Sequence, residues 1–288
     1  MPRPFEPVSR PPLAEQDGRS FPRLVELMQR LLAPDGCPWD REQSFATLRR
    51  YVLEEASEVV DAIDGGDRGE LRDELGDLPL QVVFQAELGR AEGAFGPDDV
   101  VAAICDKLVR RHPHVFADAE VEGTRDVLRN WERIKAAERA GKKHKPGQGG
   151  VLGGVPRSLP ALTRAQRVGE KVARVGFDWP DARGSRAKVG EELGELDEAI
   201  ASGDKDQIEA ELGDALFALV NLARHVEVDA EGALRRTIEK FTRRFDHVEA
   251  RVKETHGGWP ATVADDKLTL EELDGYWEEA KRAASTRT

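Results

Sequence analysis

The stretch EELGELDEAIASGDKDQIEAELGDALFALVN, Glu191 to Asn221, decides the fold. Apolar residues recur at helical spacing on both sides of the turn ASGD, which predicts two helices, Ala182 to Ile200 and Lys205 to Val228. On the first, Lys188, Glu191, Glu192 and Glu195 are three and four residues apart and share one broad face. Val189, Leu193, Leu196 and Ile200 lie opposite and are expected to face the core. On the second, Glu211, Asp214, Ala218, Asn221 and His225 form one stripe, with Leu212, Ala215, Leu216 and Leu219 as its apolar side. The short turn forces the helices antiparallel, so the two acidic faces meet across the pair.

The same pattern is written earlier, in EEASEVVDAIDGGDRGELRDELGDLPLQVVF, Glu54 to Phe84. Glu54, Glu55 and Glu58 map onto Glu191, Glu192 and Glu195 at an offset of 137, and Glu74 and Asp77 map onto Glu211 and Asp214 at the same offset. Further along, DKLVRRH (Asp106 to His112) matches EKFTRRF (Glu239 to Phe245) at an offset of 133, and NWERIK (Asn130 to Lys135) matches YWEEAK (Tyr276 to Lys281) at 146. The offset changes only in loops, which marks an internal duplication. Other helices are predicted at Pro22 to Leu32, Phe45 to Ile63, Asp67 to Glu92, Asp98 to Arg111, Thr124 to Ala140, Leu159 to Val175, Ala230 to Glu254 and Leu270 to Ala283. The expected architecture is all-α, with two tandem bundles of about four or five helices each. A Pro-rich tail is expected over 1–20, an N-terminal domain over 21–140, a Gly/Pro/Lys-rich linker over 141–158 and a C-terminal domain over 159–288.

Composition limits what such a chain does. A formal charge of −12 argues against a nucleic-acid backbone or an anionic membrane as the main partner and suits a protein that gathers divalent cations. No apolar run approaches a membrane span, and the first 20 residues lack the apolar core of a signal peptide. Cys37 and Cys105 are too few for a disulfide framework or a thiolate zinc site, so reduced thiols in a cytoplasmic protein are expected.

Facing acidic stripes are costly, since like charges at i,i+4 destabilise a helix by roughly 0.2–0.5 kcal/mol each. A bound cation removes that cost, and an oxygen-only donor set favours Mg²⁺, with Mn²⁺ as substitute. A di-iron carboxylate bundle needs Glu-x-x-His, and none of the six histidines has a Glu three residues before it. A non-catalytic scaffold and a nucleotide sensor remain as alternatives. In an enzyme, Glu191 is the candidate to orient or deprotonate a water. Lys240, Arg243 and Arg244 recur on one helix face and suit a leaving polyphosphate. Asn221, seven residues past Asp214 and so roughly 10 Å along the axis, is placed for a ribose or base.

EExxE, a gap and ExxD resemble the signature of the all-α nucleoside triphosphate pyrophosphohydrolases. With GCPWD, DKLVRRHPHVF, NLARH and EKFTRRF, the chain from Phe21 to Lys281 resembles the tandem MazG family. The resemblance implies Mg²⁺-dependent hydrolysis of NTPs and dNTPs between the α and β phosphates, as housecleaning or in stress, and a homodimer. It implies Glu192, Glu195, Glu211 and Asp214 as metal ligands, Lys188 on phosphate and Trp277 against the nucleotide. Few side chains suit reading a base, so broad specificity is expected.

The copies differ where a nucleotide would lie. Phe84 stands in place of Asn221 and Tyr51 in place of Lys188, and Pro79 follows Asp77, where it is expected to break or kink its helix. The C-terminal copy is therefore expected to be the catalyst. The N-terminal copy, with Glu55, Glu58, Glu74 and Asp77 as a candidate second metal site, is expected to be structural, regulatory or weaker. His112 and His114 flank a proline and are expected to cap helices, and Trp39 to anchor the turn that holds Cys37.

Overall fold

The computed structural model describes residues 20–140, 150–259 and 268–285. Most of the expected tail and residues 141–149 of the expected linker lie outside them. Among the described residues every regular element is a helix, and no helix is long and apolar enough to cross a membrane. The chain divides into two compact units, Met1–Lys142 and Lys143–Thr288.

The first unit contains α1 (Phe21–Leu32), α2 (Pro38–Arg41), α3 (Phe45–Gly65), α4 (Arg68–Ala91), α5 (Pro97–Arg111), α6 (Pro113–Phe116) and α7 (Thr124–Ala140). The second contains α8 (Ala161–Ala173), α9 (Ala182–Ser202), α10 (Lys205–His225), α11 (Ala230–His256) and α12 (Leu270–Ser285). The one-turn helices α2 and α6 each start at a proline, whose fixed φ suits the first helical position, and neither was legible as a periodic segment. Pro113 thus begins a helix, while His112 Nδ1 lies 2.7 Å from the Leu108 carbonyl and satisfies the end of α5, as expected of a cap. Thr124 is the first residue of α7, as expected, and the Gly123 carbonyl accepts the first backbone bonds of that helix.

The two long hairpins, α3–α4 and α9–α10, are built alike. Each first helix ends at a left-handed glycine, Gly66 (φ 78°) or Gly203 (φ 75°), a conformation only glycine adopts without steric cost. An aspartate follows at once as the next N-cap. Asp67 accepts from the backbone of Gly69 at 2.7 Å, and Asp204 from that of Asp206 at 3.0 Å. One Gly-Asp turn thus closes one helix and opens its antiparallel partner in both copies. Pro79 does not break α4, which runs unbroken from Arg68 to Ala91, so the proline forgoes only its own backbone bond.

In the first unit Met28, Leu32, Leu48, Val83 and Phe84 form a buried core joining α1, α3 and α4, with Tyr51 and Leu80 packed against it. In the second, the α9–α10 seam is lined by small residues, Ala199, Ala215 and Ala218, which let the helices approach closely. Of the residues on the two expected apolar faces, Val189 and Ala215 are buried and Leu196 is half-buried. Leu193, Ile200, Leu212, Leu216 and Leu219 are all exposed, the least of them by 46%. The small residues of the seam need no cover, so the large ones are left outside it.

Candidate active site: the paired carboxylate helices

The α9–α10 hairpin brings its acidic faces together as the spacing requires. Carboxylate oxygens of Glu192, Glu195 and Glu211 all lie within 4.8 Å of one another. Glu192 is buried, only 5% exposed, whereas Glu195 is at the surface. Asp214, on the same stripe one turn beyond Glu211, stands outside this cluster and is exposed. Glu195 holds its proton more tightly than an ordinary glutamate, through partial loss of water and then the negative charge of Glu192, with Glu211 adding to it. Three hard oxygen donors that repel one another at this distance are a donor set that fits Mg²⁺ or Mn²⁺.

Lys188 bridges two carboxylates of the same helix, with Nζ 2.7 Å from both Glu191 and Glu192. Its ammonium is held well above the usual lysine range, first by the bond to Glu191 and then by that to Glu192. Glu191 itself is more than half exposed and stands at the edge of the cluster.

The basic residues and the tryptophan sit on the α11–α12 pair. Arg244 lies over the Trp277 ring at 5.8 Å, Phe241 packs on that ring at 4.8 Å, and the Arg244 Nε is buried without a hydrogen-bond partner among the described residues. Lys240 and Arg243 are exposed, and Arg243 reaches Glu239 only at 3.8 Å. No ion pair, hydrogen bond or ring contact among the described residues joins this group to the carboxylate cluster.

At the far end of the hairpin, Asn221 lines a pocket of about 370 Å³ between the end of α8, the segment before α9, and α10. Arg224 donates from Nε to Asn221 Oδ1 at 2.9 Å and from Nη1 to Asp178 at 2.9 Å, and His225 Nε2 lies 3.0 Å from the same Asp178. Arg224 and then His225 keep the Asp178 carboxyl below its usual range. Sequence reasoning missed Asp178, Trp179, Phe217 and Arg224. The visible signal was FDWP just ahead of α9 and an arginine three residues after Asn221, but neither has helical periodicity to place it.

In the first unit Glu55, Glu58 and Glu74 converge in the same way; burial and then Asp77 raise the proton affinity of Glu55, and burial, then Glu58, then Asp77 that of Glu74. The surroundings differ. Gln81, where the second copy has Ala218, donates to Glu55 at 3.3 Å. Phe84 and Tyr51, in place of Asn221 and Lys188, belong to the apolar core. The arginines are taken as well: Arg110 and Arg111 both bind Glu138, at 2.7 and 2.5 Å, and hold its pKa at about 2. The position matching Glu138 in the second copy is Ala284. A carboxyl lowered in this way stabilises the fold fully above its unfolded value of 4.5, and the contribution is lost as pH falls towards 2. Calorimetry should therefore show Glu138→Gln melting below the native protein at neutral pH, with the gap closing between about pH 4.5 and 2.

A profile of the family described as MazG nucleotide pyrophosphohydrolase domain matches residues 43–116 and 184–249, one segment in each unit. A protein named nucleoside triphosphate pyrophosphohydrolase from Escherichia coli (strain K12) is 49% identical over 263 residues, covering 90% of this chain and 96% of that one. One named nucleoside triphosphate pyrophosphohydrolase/pyrophosphatase MazG from Thermotoga maritima is 40% identical over 272 residues, covering 94% of this chain and all of that one. Both matched segments carry the paired-helix carboxylates, and this chain belongs to the MazG family.

Proposed function

We propose that the C-terminal unit hydrolyses nucleoside triphosphates, ribose and deoxyribose alike, to monophosphate and pyrophosphate. The observation that carries this reading is the convergence of Glu192, Glu195 and Glu211 beside Lys188, on the hairpin that the family profile spans. A triphosphate bears about four negative charges and cannot approach these acids unaided. Mg²⁺, or Mn²⁺ in its place, would be held by Glu192, Glu195, Glu211 and Asp214, and would supply charge neutralisation and Lewis-acid activation of the α-phosphorus. Lys188 leaves its two carboxylates for a phosphate oxygen, which frees Glu191 to take a proton. The oxygen of a water bonds to the α-phosphorus, the bond to the bridging oxygen breaks, and pyrophosphate departs with that electron pair. Arg243, Arg244 and Lys240 offset its charge, and Trp277 covers the nucleotide.

Two features of the chain complete the reading. Leu193 and Ile200 of α9 and Leu212, Leu216 and Leu219 of α10 leave apolar surface exposed on both helices, which a second copy would cover to make a homodimer. Leu216→Glu should then shift the sedimenting species from twice the 31.9 kDa chain mass to a single chain. The net charge disfavours nucleic acid and membranes as partners, and the free thiols of Cys37 and Cys105 suit the cytoplasm, where clearing the nucleotide pool is a fitting role. The deciding assay offers each of the eight common NTPs and dNTPs with Mg²⁺ and separates the products. Monophosphate with pyrophosphate is expected; diphosphate with phosphate, or intact nucleotide, would overturn the reading.

A further inference from the structure

Both units place a pair of arginines against a tryptophan, and the two arrangements differ in one partner. Arg110 and Arg111 end α5 and correspond to Arg243 and Arg244 of α11, while Trp131 of α7 corresponds to Trp277 of α12. Arg111 lies 5.9 Å from the centre of the Trp131 ring, and Arg244 lies 5.8 Å from that of Trp277. The geometry is the same, but the guanidinium Nε meets different company. In the first unit it donates to Glu138 Oε2 at 3.2 Å, and Nη2 of the same arginine reaches that oxygen at 2.5 Å. In the second unit the matching Nε is buried with no hydrogen-bond partner among the described residues, and Ala284 stands at the position of Glu138.

Glu138 sits there as a bound anion would. Its carboxylate spans both guanidiniums, with Oε1 accepting from Arg110 Nε at 2.7 Å and Oε2 from Arg111. Arginine grips phosphate oxygens with the same forked donors. Glu138 lies in the last turn of α7, where the helix dipole disfavours a negative charge, so the arginines and not the helix account for its placement. Lys135 stands over the Trp131 ring at 4.1 Å and brings a third cation to the spot. One carboxylate faces three cations, whereas a polyphosphate would match them more closely in charge. The position is also reachable from solvent, since the Arg110 side chain is 53% exposed and those of Arg111 and Glu138 about a fifth exposed.

We infer that Arg110, Arg111 and Lys135 form a polyphosphate-binding site in the first unit, and that Glu138 occupies it as a competitor tethered to the chain. Being part of the chain, Glu138 is always present at high local concentration, which keeps a free polyphosphate out of this copy. Titration calorimetry with inorganic pyrophosphate on the full chain, in EDTA and at low salt, tests this without turnover. Glu138→Ala should bind pyrophosphate at one more site per chain than the native protein, at least about tenfold more tightly than the native protein binds it there, as expected from one charge-assisted hydrogen bond. Adding Arg111→Met to Glu138→Ala should abolish that gain. Glu138→Gln, which keeps the size of the side chain and removes its charge, should gain the same site more weakly, and it carries the test if the alanine variant fails to fold. Orthophosphate, with less charge, should bind the new site more weakly than pyrophosphate. The inference is overturned if neither Glu138 variant gains a site, if the gain survives Arg111→Met, or if orthophosphate binds as tightly as pyrophosphate. No hydrolysis enters the measurement, so failure of the hydrolase reading leaves this site standing, and failure of this site leaves the hydrolase reading standing.

Discussion

Replacing Glu195 by alanine should lower kcat/KM for any triphosphate substrate by about three orders of magnitude, whereas Glu58→Ala should change it less than about threefold. The two glutamates occupy the same position in the duplicated hairpin, each within 4.8 Å of two further carboxylates. Acid geometry therefore does not distinguish the copies, and the expected difference comes from what surrounds the acids. In the second unit Lys188 sits on the acidic face, and on α11 the Nε of Arg244 is buried with no hydrogen-bond partner among the described residues. In the first unit the matching positions are Tyr51, packed on the core, and Arg111, engaged by Glu138. A loss in Glu58→Ala equal to or greater than that in Glu195→Ala would reverse the division of labour.

The second large effect is on stability. Phe84 is 3% exposed in the core of the first unit, and Phe84→Ala should destabilise that unit by about 3–5 kcal/mol through lost burial and the cavity left behind. Its counterpart Asn221 is half-buried and, among the described residues, bonded to Arg224 alone, so Asn221→Ala should cost no more than about 1 kcal/mol. Activity should respond the opposite way: conserved per folded molecule in Phe84→Ala, lowered in Asn221→Ala. Hydrogen exchange resolved by segment would report the first unit separately, which a single melting temperature of a two-unit chain does not. Similar stability losses in the two variants would mean that both positions serve packing.

The paired helices were legible because period, glycine and aspartate agree at each turn. Gly66-Asp67 and Gly203-Asp204 stop one helix and start the next within two residues, and the carboxylate stripes follow from that register. Two things were misread for physical reasons. Leu193 and Ile200 are expected in the core yet are exposed, because periodicity shows which residues share a face, not what that face meets. Pro79 was expected to interrupt α4, yet one missing backbone bond is outweighed by packing of the helix on α1 and α3. The Asp178–Arg224–Asn221 chain joins residues up to 46 positions apart, and such contacts leave no periodic trace. Glu138, which claims two arginines from another helix, is the same kind of case.

Turnover of Glu58→Ala in ¹⁸O-labelled water with Mg²⁺, followed by mass analysis of the products, shows whether water attacks the α-phosphorus in the C-terminal unit. The label should appear in the monophosphate, at a rate close to that of the native protein. Label in the pyrophosphate or in inorganic phosphate, or no turnover by this variant, would contradict it.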